Sequence, residues 1–184
     1  MRFHSYLFSA LLILLFTSCT SGETSSQLQS VSSQVNQPHL KVVTLDDKSK
    51  IVIGQTIYVP VYSHIYYENQ KKVIDLSATL SIRNTDLSNP IIITSVRYYN
   101  TEGKLIKQYL ERPGELDSLA STDFVVEKTD TSGGSGANFI VEWVAEKNVS
   151  EPIVEAVMIN AASNQGISFV STGKVIKSLG KNVP

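Results

Sequence analysis

Apolar and polar residues alternate along most of this chain with a period close to two. Phe139, Val141 and Trp143 fall on one face of a strand and Ile140, Glu142 and Val144 on the other. That strand follows a glycine-rich loop in the stretch Asp130 to Glu146, DTSGGSGANFIVEWVAE, and holds the only Trp. It predicts the spine of a sandwich. From Ile51 onward no amphipathic helical pattern interrupts the alternation.

Ile57 to Tyr67 is predicted as the first long strand. Leu76, Ala78, Leu80 and Ile82 then alternate with Ser77, Thr79, Ser81 and Arg83, the pattern of a half-buried strand. Asn84 to Pro90, NTDLSNP, is turn chemistry, and Pro90 to Tyr99 and Lys104 to Leu110 are the next strands. Asn100-Thr101-Glu102-Gly103 between them predicts a tight hairpin with Gly103 at positive φ. Pro113-Gly114 predicts a type II turn. Leu119 to Lys128, Ile153 to Asn160 and Gly166 to Thr172 complete the strands, with Val175 and Ile176 continuing the last past Gly173. Short strands at regular spacing imply an all-β fold, an antiparallel β-sandwich of immunoglobulin-like or fibronectin-like type.

Composition adds a compartment. The 184 residues are 42% hydrophobic and 18% charged, which suits one domain with appendages. Arg2 precedes an apolar run from Tyr6 to Phe16 that is well short of the ~20 residues a spanning helix needs, so residues 1–18 are expected to be an export signal. Leu15-Phe16-Thr17-Ser18-Cys19 resembles a bacterial lipobox, which implies cleavage before Cys19 and acylation of its thiol, palmitate included. The alternative is an ordinary signal peptide with an incidental Cys. Acyl chains contribute about 0.8 kcal/mol per buried methylene, so the product would be anchored to a membrane without spanning it. Thr20 in place of Asp points to the outer membrane where the cell has one, and otherwise to the envelope generally.

Cys19 is the only Cys, so the domain is expected to hold without a disulfide. Residues 20 to 38 contain six Ser, four Gln and two Thr, too little apolar surface to offset ordering entropy, and residues 19–45 are expected to be a flexible tether. The coil over residues 20 to 38 would span about 25 Å root-mean-square. Residues 46–184 are expected to form the single β-sandwich domain. Without Arg2 the mature chain carries 15 basic and 17 acidic side chains, a formal charge of −2, and no footprint for nucleic acid.

Four stretches carry a resemblance. They are Tyr58-Val59-Pro60-Val61-Tyr62-Ser63-His64-Ile65, Leu80-Ser81-Ile82-Arg83-Asn84-Thr85, Gly133-Gly134-Ser135-Gly136-Ala137-Asn138-Phe139 and Gln165-Gly166-Ile167-Ser168-Phe169. Together they resemble a bacterial lipoprotein family, seen chiefly in cyanobacteria-type envelopes and catalogued as domain of unknown function number 3124. The resemblance runs from about Gly54 to Gly173 and implies a compartment, with no activity attached.

Two surfaces are candidates. Period two places Ile57, Val59, Val61 and Ile65 on one face of the first strand and Tyr58, Pro60, Tyr62, His64 and Tyr66 on the other. A row of Tyr58, Tyr62, His64 and Tyr66 suits a protein or glycan partner, because Tyr offers flat apolar area and a hydroxyl at low entropic cost. Pro60 removes a ladder donor and predicts an edge strand. The alternative is that loops cover the row. The second surface is the loop Ser132, Gly133, Gly134, Ser135, Gly136 and Asn138, whose amides are able to converge on an anion. It lacks the Lys-Ser/Thr ending and following helix of a P-loop and the twelfth-position Glu of an EF-hand, so backbone geometry is its competing role.

Catalysis is short of parts. His4 falls in the signal and His39 in the tether, leaving His64 as the one histidine of the domain. That excludes a histidine-rich zinc site, and no nucleophile-elbow sequence accompanies it. Asp117, Asp123, Glu127 and Asp130 are close enough in sequence for a carboxylate pair. The expected function is therefore a non-catalytic envelope binding module with no cofactor and no metal. The alternatives are an envelope hydrolase using His64 or loop carboxylates, and a purely structural envelope protein.

Overall fold

Thirteen antiparallel strands and no helix occur among the residues that the computed structural model describes, 40–46, 49–161 and 166–180. The expected signal, Cys19 and the stretch through His39 lie outside them. In chain order the strands are β1 (Lys41–Val42), β2 (Ile53–Pro60), β3 (His64–Tyr67), β4 (Lys72–Asp75), β5 (Ser77–Arg83), β6 (Ile91–Tyr99) and β7 (Leu105–Gln108). Then come β8 (Gly114–Leu116), β9 (Ser121–Val126), β10 (Asn138–Ala145), β11 (Ile153–Asn160), β12 (Ile167–Thr172) and β13 (Lys174–Leu179). The larger sheet runs β1-β8-β6-β10-β2-β13 with β7 also on β6, the smaller runs β12-β11-β5-β9, and β3 and β4 form a separate hairpin. The protein is a β-sandwich.

The alternation in sequence is what makes the sandwich. Phe139, Val141, Trp143 and Ala145 of β10 meet Ala78, Leu80 and Ile82 of β5 and Ala156 and Met158 of β11 in one buried cluster. Each large aliphatic side chain so buried contributes about 1.5–3 kcal/mol. β10 lies between β6 and β2, and Trp143 sits opposite Gln55 and Ile93. Its indole Nε1 donates to Gln55 Oε1 at 3.3 Å, so neither buried polar group is left unpaired.

Local chemistry departs from the expected elements in four places. The strand expected over Ile57 to Tyr67 is two strands, broken at 61–63. β2 is an interior strand flanked by β10 and β13, not an edge; Pro60 is tolerated because it is the last residue of β2 and the β13 ladder already ends at Tyr58. Pro113-Gly114 is not a type II turn. Gly114 opens β8, where a Cβ would lie 2.7 Å from that of Leu40, and the positive φ nearby, 58°, belongs to Leu119. Finally, Lys41 and Val42, inside the expected tether, pair with Glu115 and Gly114, so the folded domain starts before residue 46. Gly103, by contrast, takes the expected positive φ of 75° in the hairpin between β6 and β7.

β12 and β13 are one chain segment shared between the sheets. The crossing is at Gly173, whose amide donates to Val154 O at 2.8 Å and whose Cβ, if present, would lie 2.6 Å from Ile57 Cγ2. Only glycine fits there.

The loop from Asn84 to Pro90 is organised by one carboxylate. Asp86 accepts from the amides of Ser88 and Asn89 at 3.0 and 2.8 Å, and from that of Ser150 at 3.0 Å. These amides, Ser88 foremost and then Ser150, hold its carboxyl at about 2, below the ordinary 3.8. A depressed folded-state value means that this contribution is complete above about pH 4 and is lost as the pH falls toward 2. Urea midpoints measured across that window are expected to fall less steeply for Asp86→Asn than for the wild type.

Candidate functional site

The hairpin of β3 and β4 bridges the two sheets, leading from the end of β2 into β5. Ser63 fixes its base: this buried residue donates its amide to Gly134 O at 3.0 Å and accepts from the amide of Leu76 at 2.8 Å. Its hydroxyl reaches the carbonyls of Gly134 and Thr131 at 3.1 and 3.3 Å. Ile65 and Ile74 sit opposite each other and pack on the core. Period two then turns His64, Tyr66 and their partners Asp75 and Val73 to the other face.

That other face is open and aromatic. Tyr66 is 50% exposed and Val73 49%; Tyr67, 42% exposed, points to the opposite face with its partner Lys72. His64 and Tyr66 stand edge to face with ring centroids 5.1 Å apart, and His64 Nε2 lies 3.1 Å from the Tyr66 hydroxyl. Lys72 reaches over the Tyr67 ring at 5.7 Å and pairs with Glu68 at 2.9 Å. With both partners half exposed, that ion pair contributes little. The tip holds three consecutive non-glycine residues at positive φ, Glu68, Asn69 and Gln70, at 51°, 56° and 66°. Each costs about 1–2 kcal/mol, least for Asn.

The expected row is split by the break at 61–63. Tyr62, 38% exposed, leans on Phe169 of β12 with centroids 5.9 Å apart and so faces the edge of the smaller sheet. Tyr58 is elsewhere, on the outer face of the larger sheet between Lys174 and Ile140, with Arg97 next in line. Tyr62, His64 and Tyr66 therefore keep to the hairpin and its base, and Tyr58 does not. Val73 and Phe169 join the surface without having been foreseen, and Tyr67 is exposed on the hairpin's other face. The signal for Tyr67 and Val73 was the polar run Glu68-Asn69-Gln70-Lys71 between two apolar ones; Phe169 had no local signal.

The glycine loop serves as a clamp. Gly133 O accepts from the amide and hydroxyl of Thr101 at 2.9 and 3.1 Å, and Gly134 O accepts from Ser63. The amides of Gly134 and Gly136 donate to Thr131 O and Thr101 Oγ1 at 3.2 and 3.0 Å. Amides so engaged are not free to converge on an anion. Gly134 takes φ 77°, Ser132 donates its amide to Asp130, and Asn138 is already in β10 opposite Pro60 and Tyr99. Ser135 lies between, half-buried.

The four carboxylates are divided between β9 and the turns on either side of it. Asp123 lies in β9 opposite Ser81, and Asp117 sits in the turn closed by Ala120 N and Asp117 O at 3.1 Å. Glu127 and Asp130 share one turn, with Asp130 N donating to Glu127 O at 2.9 Å, and lie near Tyr98, which is buried, and Tyr109, which is partly buried. Burial first, and then Asp130, pushes Tyr98 up to about 12, and Tyr109 is raised further for the same reasons with Tyr98 and Glu127 added. Among the described residues no group of three His, Cys, Asp or Glu side chains is placed to hold a metal ion. A depression of about 220 Å³ on the outer face of the larger sheet is lined by Thr56, Glu142, Val144 and Lys177. There Glu142 is already held by Arg97 at 2.9 Å.

The family model described as "Protein of unknown function (DUF3124)" matches residues 54–176, which takes in the hairpin, the clamp loop and most of both sheets. No curated protein matches the chain. A solved structure, "Crystal Structure of Thermotoga maritima 1070", is similar over 65% of this chain and 92% of its own, at 12% identity and a TM-score of 0.43.

Proposed function

We propose that this chain, which belongs to the DUF3124 family of proteins of unknown function, is a lipid-anchored, non-catalytic binding module of the bacterial envelope. Its contact surface is the outer face of the β3–β4 hairpin and its base, with Tyr62, His64 and Tyr66 as the central side chains and Val73 beside them. The anchor is the acylated Cys19. The observation that carries the reading is the exposure of Tyr66 and Val73 as a cross-strand pair on one face of the hairpin, with Tyr62 exposed at its base, and that base is bonded into the core. Large rigid side chains of this kind bury area on binding at little entropic cost.

Two further features support it. Three residues in the left-handed region are strain concentrated at the tip, the kind of strain that clusters at sites of contact. His64 and Tyr66 also preorganise each other, which lowers the cost of ordering them against a partner. The partner is an envelope protein or glycan, with no nucleic acid involved.

Tyr66→Ala in the full chain is expected to reduce recovery of the partner from solubilised membranes by about 30-fold, the effect of losing a ~2 kcal/mol anchor. The unfolding temperature should barely move, because exposed substitutions stay within about 0.5 kcal/mol. A large drop in stability with partner recovery unchanged would make the tyrosine part of the fold alone.

A further inference from the structure

Edge strands expose unpaired backbone groups, and every edge of this sandwich but one carries a blunting charge. In the larger sheet β1 has Lys41, β7 has Lys107, and β13 has Lys174 and Lys177 together with a register shift between Val175 and Lys177. In the smaller sheet β9 has Asp123. β12 is the exception. Its six residues, ISFVST, hold no charge, no proline and no glycine, and its register with β11 is unbroken. Val170, 59% exposed, stands in the middle of it.

The free backbone groups follow from the ladder. Gly173 N donates to Val154 O, so alternation directs the groups of Ser171 and Phe169 toward β11 and leaves those of Ser168, Val170 and Thr172 on the open side. Among the described residues no strand takes them up.

We propose that β12 pairs antiparallel with β12 of a second copy of this chain about a two-fold axis at Val170, joining the two smaller sheets into one. The axis sets Val170 opposite the second copy's Val170, and Ser168 opposite the second copy's Thr172. All three pairings match open groups with open groups, for about six hydrogen bonds. The side chains match as well: valine meets valine and serine meets threonine, both favourable across strands. No like charges meet, since Lys174 falls opposite the second copy's Gly166. On the outer face the cross-strand row Val170, Val157, Thr79, Val125 would run unbroken through the joint into its own repeat. A self-complementary, charge-free edge is the observation that selects a second copy over a partner of other sequence.

The test uses the full chain. Sedimentation equilibrium is expected to show a dimer that Val170→Lys converts to monomer, with an unfolding temperature equal to that of the wild-type chain diluted until it is monomeric. In a Cys19→Ser background, a short bismaleimide should link two copies of Val170→Cys and none of Val125→Cys, which lies on the opposite edge. A wild-type monomer, a dimer unaffected by Val170→Lys, or equal linking at both positions would each overturn the proposal.

Discussion

Trp143→Ala is expected to cost about 3–5 kcal/mol of folding stability. In a domain whose total is about 5–15 kcal/mol, that leaves a large unfolded fraction at ambient temperature. The size follows from position: Trp143 is buried in the central strand of the larger sheet, with Gln55 and Ile93 on either side and the smaller sheet across the core. Truncation opens a cavity and also strands Gln55 Oε1 without its donor. Trp143→Phe separates the two effects. It keeps most of the ring volume and loses the hydrogen bond, for which about 1–3 kcal/mol is expected. Urea unfolding followed by circular dichroism measures both, since the variants lack the only tryptophan.

The second large effect is at the clamp loop. A Cβ on Gly133 would lie 1.8 Å from the Tyr98 hydroxyl oxygen, 2.7 Å from its Cζ and 2.9 Å from Ala137 Cβ. Tyr98 has no room to yield: it is buried, and its ring packs on Phe139 at 5.1 Å. The loop itself must therefore move, taking with it the bonds to Thr101 and Ser63. Gly133→Ala is expected to exceed the usual 1–3 kcal/mol of overpacking. Adding Tyr98→Phe removes the closest atom and should restore part of the loss, while the Cζ contact keeps the recovery incomplete. Full stability in Gly133→Ala, by calorimetry, would show that the loop is not a clamp. Full stability would also return its amides to consideration as an anion site.

Where sequence and structure agree, the determinant is local. β5, β10 and β11 are legible because period-two alternation is the whole cause of their burial; β11 spans Ile153–Asn160, the same residues that the pattern marks. The break at 61–63 is not legible, because Val61 and Ser63 continue the alternation and are both buried. What breaks the strand is Ser63 bonding to carbonyls of Thr131 and Gly134, far along the chain. Gly114 misleads for the same reason: its constraint comes from Leu40 and not from a turn. In the candidate surface, the His64 and Tyr66 pair is readable from spacing two in a strand. Tyr62 and Tyr58 part company through contacts with Phe169 in one sheet and Lys174 in the other, which no local pattern encodes.

Photocrosslinking in the cell, from a benzophenone side chain placed at position 66 of the full chain, asks directly whether the hairpin meets a partner. The expected product is a covalent adduct between this chain and another envelope component, identified by mass spectrometry and lost on competition with unlabelled chain. Adducts confined to the chain's own domain would contradict the binding reading and leave the hairpin as an exposed but unvisited part of the fold.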